Sequence, residues 1–450
     1  MLAGRRATLV WIHDGGERLD RALVTLFEEG SSYTGEEMVE VSAHGSPYVL
    51  ERILEMSVEA GARPAAPGEF TQRAFLSGRL DLSQAEAVCD LIAARTRLAH
   101  RAAVSRLEGG LSRETAGLRR DILELRARVE AALDHPDEGL SDDPEAASRA
   151  ARGLLARVEA MGRGARRGRL LREGARVVLL GPRNAGKSSL LNALLGTDRA
   201  IVHPEPGTTR DTLEETCDLE GIQTTLIDTA GLSDWPCPVG DGTSSLDSDH
   251  RLDAGPVEKE GQLRALAAAR GADLLVLVLD RTLDPETHRG VLEWTRAEAR
   301  RLARPLVTAL NKSDLEPART RPEHVADVLG ASFAPRTAGS GGVPAAVEVS
   351  ALRRSGLEDL ARAVTAGLSE GDGLPEAECS ASAAGARHRR ALDEAAAQLR
   401  PVPEFILSGR SPELAAERLR RAADALDEIE GHTAPEEVLS GVFSRFCVGK

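Results

Sequence analysis

The stretch RVVLLGPRNAGKSSLLNALLG at 176–196 decides the fold: an apolar, β-rich run breaks at GPRNAGKS (181–188) and resumes with helical spacing. A strand, a glycine-bearing turn and a helix in that order form the context in which a phosphate loop works. The glycines let successive backbone N–H groups turn toward a phosphate chain, Lys187 reaches its terminal phosphates, and the Ser188 hydroxyl can ligate magnesium.

Moving outward, the region from 176 to about 368 alternates short apolar runs (RVVLLG, TTLIDTAG, DLLVLVLD, RPLVTALN, AAVEVSAL) with helical stretches, which predicts a mostly parallel sheet covered by helices. DTAG (228–231) ends one strand, where Asp228 can hold the magnesium water shell and the Gly231 N–H can sense a γ-phosphate. NKSD (311–314) ends another, and the Asp314 carboxylate can accept two hydrogen bonds from guanine N1–H and its exocyclic amine, a pair adenine lacks. SAL (350–352) offers a backbone N–H to the guanine carbonyl, and GTTRD (207–211) can bring Thr209 to magnesium when the γ-phosphate is present. The expected nucleotide set is Asn184, Ala185, Gly186, Lys187, Ser188, Ser189, Gly207, Thr208, Thr209, Asp228, Thr229, Ala230, Gly231, Asn311, Lys312, Asp314, Ser350 and Ala351, with Ser188 and Thr209 on magnesium. The order of motifs predicts a GTPase.

Leu232 follows DTAG and cannot orient a water as a glutamine there does. An arginine finger is worth about 10³ to 10⁵ in kcat, roughly 4 to 7 kcal/mol, so another group must neutralise comparable charge.

At 450 residues and roughly 150 per domain, the chain has room for about three domains. Before the GTPase region, ATLVWIH, ALVTLFEE and MVEVSAHG read as strands and PYVLERILEMSVEAG as a helix. From Leu82, SQAEAVCDLIAARTRLAHRAAVSRLEGGL, LRRDILELRARVEAALD and AASRAARGLLARVEAMGRGARRGRLL carry three- and four-residue apolar steps, and this helical texture returns from 387 to 429. The α/β domain is thus expected to be inserted into a helical bundle. Two irregular stretches, 233–256 and 334–344, read as surface loops.

With 57 basic and 71 acidic residues the formal net charge is −14, so any RNA contact is expected to be local or shared with a partner. Aromatics at 3% argue against base-stacking platforms. Five scattered cysteines (Cys89, Cys217, Cys237, Cys379, Cys447) show no zinc or redox spacing, and no apolar run approaches about 20 residues, which together predict a cytoplasmic protein.

SYTGEEMVEVSAHG, PGEFTQRAFLSGRLDLSQAEAVCDLI, the GTPase motifs and the terminal FSRFCVGK together resemble the tRNA-modification GTPase MnmE (TrmE) family. The resemblance implies a small α+β tetrahydrofolate-binding and dimerising domain at 1–82, a helical domain split over 83–172 and 371–450, and the inserted GTPase domain at 173–370. It implies a homodimer that acts with the FAD-dependent partner MnmG, as a heterotetramer on tRNA, to install an aminomethyl or carboxymethylaminomethyl group at C5 of the wobble uridine. A folate would supply the one-carbon unit, and FAD would be carried by the partner. Potassium would replace the arginine finger, with Asn184 as side-chain ligand and His203, Glu205 and Thr208 in the loop around it. Glu258 would position the attacking water, unless it is simply a helix-start glutamate favoured by the helix dipole. Glu40, Arg79 and Lys450 match the folate pattern, and Cys447 matches a near-terminal cysteine needed for modification. Catalytic roles thus fall on Glu258, Lys187 and Cys447. Family members carry a further segment before ATLVWIH, so the chain is expected to open within the first domain, through a misassigned start or a lost folate and dimer surface. A GTP-dependent ribosome-assembly switch and a diverged paralogue without modification activity share the GTPase motifs and stand as alternatives.

Overall fold

The structure is a computed structural model that describes residues 6–134, 143–196, 213–229, 267–329, 346–369, 385–408, 412–431, 436–444 and 446. It divides into two compact units. The first comprises 1–93, 103–162 and 386–450, and the second comprises 94–102 and 163–385.

The second unit is built on a six-stranded sheet: β4 (Ala175–Leu180), β5 (Leu213–Leu219), β6 (Ile222–Asp228), β7 (Leu274–Asp280), β8 (Leu306–Asn311) and β9 (Val347–Glu348), in the order β5-β6-β4-β7-β8-β9. All neighbours are parallel except β5, which runs antiparallel to β6 at the edge. The sequence LEETCDL hides this strand, because three of its seven residues are acidic and only an edge tolerates that. β7 shows the opposite character: LLVLVLD is buried throughout, as befits a strand covered on both faces.

Alternation splits the apolar residues between two cores. Val177 and Leu179 of β4 pack with Leu190, Leu191 and Leu194 of the helix that follows, α7 (Lys187–Leu195). Val178 and Leu180 face the other way, with Leu275, Leu277 and Leu279 of β7 and Val291 and Leu292 of α8 (Pro285–Leu302). β4 lies between β6 and β7, so connections leave to opposite sides there. This is the switch point at whose carboxyl edge open α/β sheets bind ligands.

The first unit contains an antiparallel sheet of β1 (Thr8–Asp14), β2 (Glu17–Phe27) and β3 (Met38–Ser42), followed by α1 (Pro47–Glu59), α2 (Glu69–Leu76) and α3 (Leu82–Ala93). The helical texture beyond Leu82 is not one run. α3 ends at Ala93, α4 (Arg97–Leu107) starts where the Thr96 hydroxyl accepts the Ala99 N–H at 3.2 Å, and α5 (Gly110–Asp134) starts after Gly109 at φ +77°. α6 (Pro144–Glu173) follows, and α9 (Pro322–Leu329) and α10 (Leu357–Leu368) belong to the second unit. After the inserted sheet come α11 (Ala386–Leu399), α12 (Val402–Ser408), α13 (Pro412–Glu430), which packs on α5 and α11, and α14 (Glu436–Phe443).

The two halves of this helical unit meet through charge as well as apolar packing. Glu86 on α3 accepts the Arg387 guanidinium at 3.0 Å and lies 3.1 Å from the fully buried His388 ring, both on α11. Arg106, 1% exposed, pairs with Asp90 in the same unit. Burial opposes ionisation of Glu86, but His388 and Arg387 overcome it and hold the carboxyl well below the usual carboxylate range. A carboxyl whose folded pKa is depressed contributes stability above its unfolded value and loses it as pH falls. Glu86→Gln is therefore expected to lower the melting temperature at pH 7, with the gap to the parent protein narrowing as pH drops below about 4.5, its ordinary value. Thermal melts of both proteins from pH 7 down to about 3 check this.

Candidate functional site

The carboxyl edge of the sheet assembles the site. In register, Leu179 of β4 lies beside Asp228 of β6, and Asp280 of β7 beside Asn311 of β8. The phosphate loop leaves β4 at Gly181, whose φ of +142° and close approach to β7 exclude a side chain. An added Cβ would stand 2.2 Å from the Val278 carbonyl oxygen.

The loop enters α7 at Gly186, φ +92°, with no side-chain cap on the first N–H groups. These orphan donors and the positive end of the helix dipole are what an anion needs. Asn184 is exposed in the left-handed region at φ +61°, a conformation that asparagine tolerates better than most residues. Ala185 is buried, Ser188 half-buried and Ser189 exposed.

Lys187 is 7% exposed, and its ammonium donates to the carbonyls of Gly181 at 2.8 Å and Pro182 at 2.9 Å. Burial pushes its pKa down, and the nearby Asp228 carboxylate works against that. Asp228 is itself 5% exposed, and Thr229 donates its hydroxyl to the Leu179 carbonyl at 2.6 Å, tying the end of β6 to β4.

Asn311 joins the two ends of the site. Its Nδ2 donates to the Ala185 carbonyl in the phosphate loop at 2.9 Å, and its Oδ1 accepts the Ala351 N–H at 3.1 Å. With the side chain almost wholly buried, leaving either group unpaired would cost about 1–3 kcal/mol. A Cβ at Gly186 would fall 2.2 Å from this Nδ2, so the loop glycine is also the space the amide occupies.

Beyond Asn311, the Ser350 hydroxyl donates to Asp314 Oδ1 and accepts the Arg353 N–H at 3.0 Å. The Ser350 bond, with the charge of Arg353 adding to it, outweighs desolvation and holds the Asp314 carboxyl below its ordinary range. An ionised carboxylate has about four acceptor positions, so the serine leaves room for a base presenting two N–H groups. Lys312 is paired with Asp280 at 2.6 Å, a contact the motif reading did not include, although LVLD ends in an acid at the same strand edge as DTAG and NKSD.

In the first unit, Glu40 is exposed on β3. Arg79 is also exposed and donates to the carbonyls of Gly30 at 3.1 Å and Ser32 at 3.2 Å, holding the 28–36 loop. His203, Glu205, Gly207, Thr208, Thr209, Ala230, Gly231, Glu258, Cys447 and Lys450 lie outside the described residues. Among the described residues no helix is long and apolar enough to cross a membrane, and no group of three or more His, Cys, Asp or Glu is placed to hold a metal.

Two family models cover the chain, the GTP-binding protein TrmE N-terminus over residues 2–79 and the MnmE helical domain over residues 82–447. The tRNA modification GTPase MnmE of Chloroflexus aurantiacus is 42% identical over 435 residues, 97% of this chain and 87% of that protein. The protein of the same name from a strain of Thermus thermophilus is 41% identical over 455 residues, all of this chain and 90% of its own length. Among solved structures, the G domain of the T. maritima FeoB iron transporter is 26% identical, covering 42% of this chain and 96% of its own, with a TM-score of 0.27. A TrmE-type N-terminal domain and a helical domain carrying an inserted, mixed-sheet P-loop unit are both present at this level of identity, and the chain belongs to the MnmE family of tRNA modification GTPases.

Proposed function

We propose that this chain is a potassium-stimulated GTPase that works in the cytoplasm with an FAD-dependent MnmG partner to install an aminomethyl or carboxymethylaminomethyl group at C5 of the tRNA wobble uridine. The observation that carries the reading is the Asn311 bridge, which joins phosphate loop to base loop in a chain that aligns with MnmE proteins over 97% or more of its length. A ribosome-assembly switch sharing only a GTPase core would not extend such a match through residues 2–79.

In this reading GTP lies along 184–189, with its base between Asp314 and the 350–351 turn. Lys187 gives up its contacts with the loop carbonyls to neutralise the terminal phosphates, and the first N–H groups of α7 add further positive potential. Magnesium would be held by Ser188 and Thr209 together with the phosphates. Ser188 suits this, half-buried in the first turn of α7 next to Lys187. Bound potassium would supply the positive charge that an arginine finger supplies in other GTPases. Asn184, exposed and left-handed at the crest of the loop, is the described residue fit to hold it, with His203, Glu205 and Thr208 in the surrounding segment. Leu232 has no polar group to align a water, and the resemblance to the MnmE family puts that role on Glu258.

The one-carbon chemistry falls to the N-terminal domain, where Glu40, Arg79 and Lys450 would bind a tetrahydrofolate derivative. A guanidinium has five N–H donors, so Arg79 can serve the 28–36 loop and still meet a carboxylate. Cys447 is assigned to the modification step. Dimerisation is supported by the sheet face that Leu9, Trp11 and Leu23 leave 50%, 44% and 46% exposed, with Leu9 and Leu23 directly opposed across β1 and β2.

Purified protein is expected to hydrolyse GTP at least tenfold faster in potassium than in sodium chloride of equal ionic strength, and Glu258→Ala to remove at least tenfold of the potassium rate. Equal rates in both salts and an active variant would exclude this mechanism. Gly186→Ala is expected to weaken GDP binding by at least tenfold, measured by fluorescence titration, because the new methyl displaces the Asn311 amide. Deleting the gene should remove the modified wobble nucleosides from bulk tRNA as read by mass spectrometry, and an unchanged nucleoside profile would refute the tRNA role.

A further inference from the structure

Behind the NKSD loop stands a layer of contacts that the motif does not contain. The Asp280 residue is 9% exposed, and both of its carboxylate oxygens are in use. Oδ1 accepts the Thr282 N–H at 2.9 Å and the Thr282 hydroxyl at 2.7 Å, while Oδ2 takes the Lys312 ammonium at 2.6 Å. Its main-chain carbonyl meets Nε2 of the buried His288 at 2.8 Å, so the end of β7 is held from behind by α8.

The neighbouring Arg281 repeats the pattern through the backbone. Its N–H donates to the Asn311 carbonyl at 3.1 Å, and its guanidinium to the Ser313 carbonyl at 2.7 Å. Between those two carbonyls sits Lys312 at φ +65°, a left-handed conformation that costs a long side chain about 1 kcal/mol or more. A residue held in that region needs an anchor, and a charge-assisted bond to the mostly buried Asp280 carboxylate is a strong one. Lys312 also separates the residue that bridges the two loops, Asn311, from the one expected to read the base, Asp314.

We propose that Asp280 is a positioning residue for guanine recognition: by fixing Lys312 it sets the turn that places the Asp314 carboxylate against the base edge. This rests on the nucleotide site proposed above. Asp280 lies outside the residue set expected to contact the nucleotide and acts through Lys312, so its loss alters which base is accepted more than how phosphate is cleaved. Inosine diphosphate lacks the exocyclic amine, and the ratio of GDP to IDP affinity therefore reports how well Asp314 is placed.

The test uses the full chain with magnesium and titrates GDP and IDP into the parent protein, Asp280→Asn, Lys312→Met and the double variant. The expected result for Asp280→Asn is a GDP affinity about tenfold weaker, equivalent to 1.4 kcal/mol, with IDP affected less, so that the GDP-to-IDP ratio shrinks at least threefold. KM for GTP should rise in parallel while kcat at saturation changes less than twofold. In the double variant Asp280→Asn should add little to Lys312→Met, because the contact it removes is already gone. Unchanged selectivity in Asp280→Asn, or full additivity in the double variant, would overturn the proposal. Should Asp280→Asn lose its cooperative melt, Lys312→Met decides alone, since it removes the ammonium and leaves the Asp280–Thr282 turn intact, and unchanged selectivity there overturns the proposal equally. A parent protein that binds no GDP would instead refute the nucleotide site itself.

Discussion

One buried amide ties together the loops at the carboxyl edge of the sheet. Asn311 has a donor and an acceptor on a planar group, and it gives one to the phosphate loop and the other to the turn after β9. The segments it joins are 126 and 40 residues away in sequence. Because the group is buried, each partner must be present at hydrogen-bonding distance or the desolvation cost is not offset, so the amide acts as a gauge of the distance between the 181–186 loop and the turn after β9. Gly186 supplies the room and Gly181 the close approach to β7.

The sheet makes that gauge rigid. β4 and β7 bury apolar side chains on both faces, in two cores that close-packing keeps from yielding. At the carboxyl edge several polar groups find local partners: Thr229 in the Leu179 carbonyl, Lys187 in its own loop, Asp314 in Ser350 and Asp280 in Thr282 and Lys312. Lys187 is held by two neutral carbonyls in surroundings that disfavour its charge, so in the proposed nucleotide site its ammonium would gain by exchanging them for a phosphate.

Much of this was legible because chemistry restricts the residue types. A loop that cradles phosphate needs glycine and lysine at set spacing, and a base reader for guanine needs a carboxylate, so GPRNAGKS and NKSD declare themselves between strand and helix patterns. The inserted arrangement could be read because the helical texture stops and resumes. What stayed hidden depends on partners distant in sequence or on packing. β5 carries acids that a period-two reading discounts, and the break between α3 and α4 hangs on a threonine cap inside an alanine-rich run. Asp280 reads as the end of a strand until Lys312 is seen beside it, and nothing in the letters NKSD announces that Asn311 reaches Ala185. Glu258, Cys447 and the potassium loop rest on resemblance to the family, and they fall outside the described residues.

We propose that the polar groups at this edge of the sheet, tied together by Asn311, select guanine nucleotides. Calorimetric titration of the magnesium-containing full chain with GDP and, separately, with ADP tests this most directly. Saturable GDP binding at one site per chain, with no measurable ADP heat at the same concentrations, is the expected result. Comparable binding of both nucleotides would contradict it.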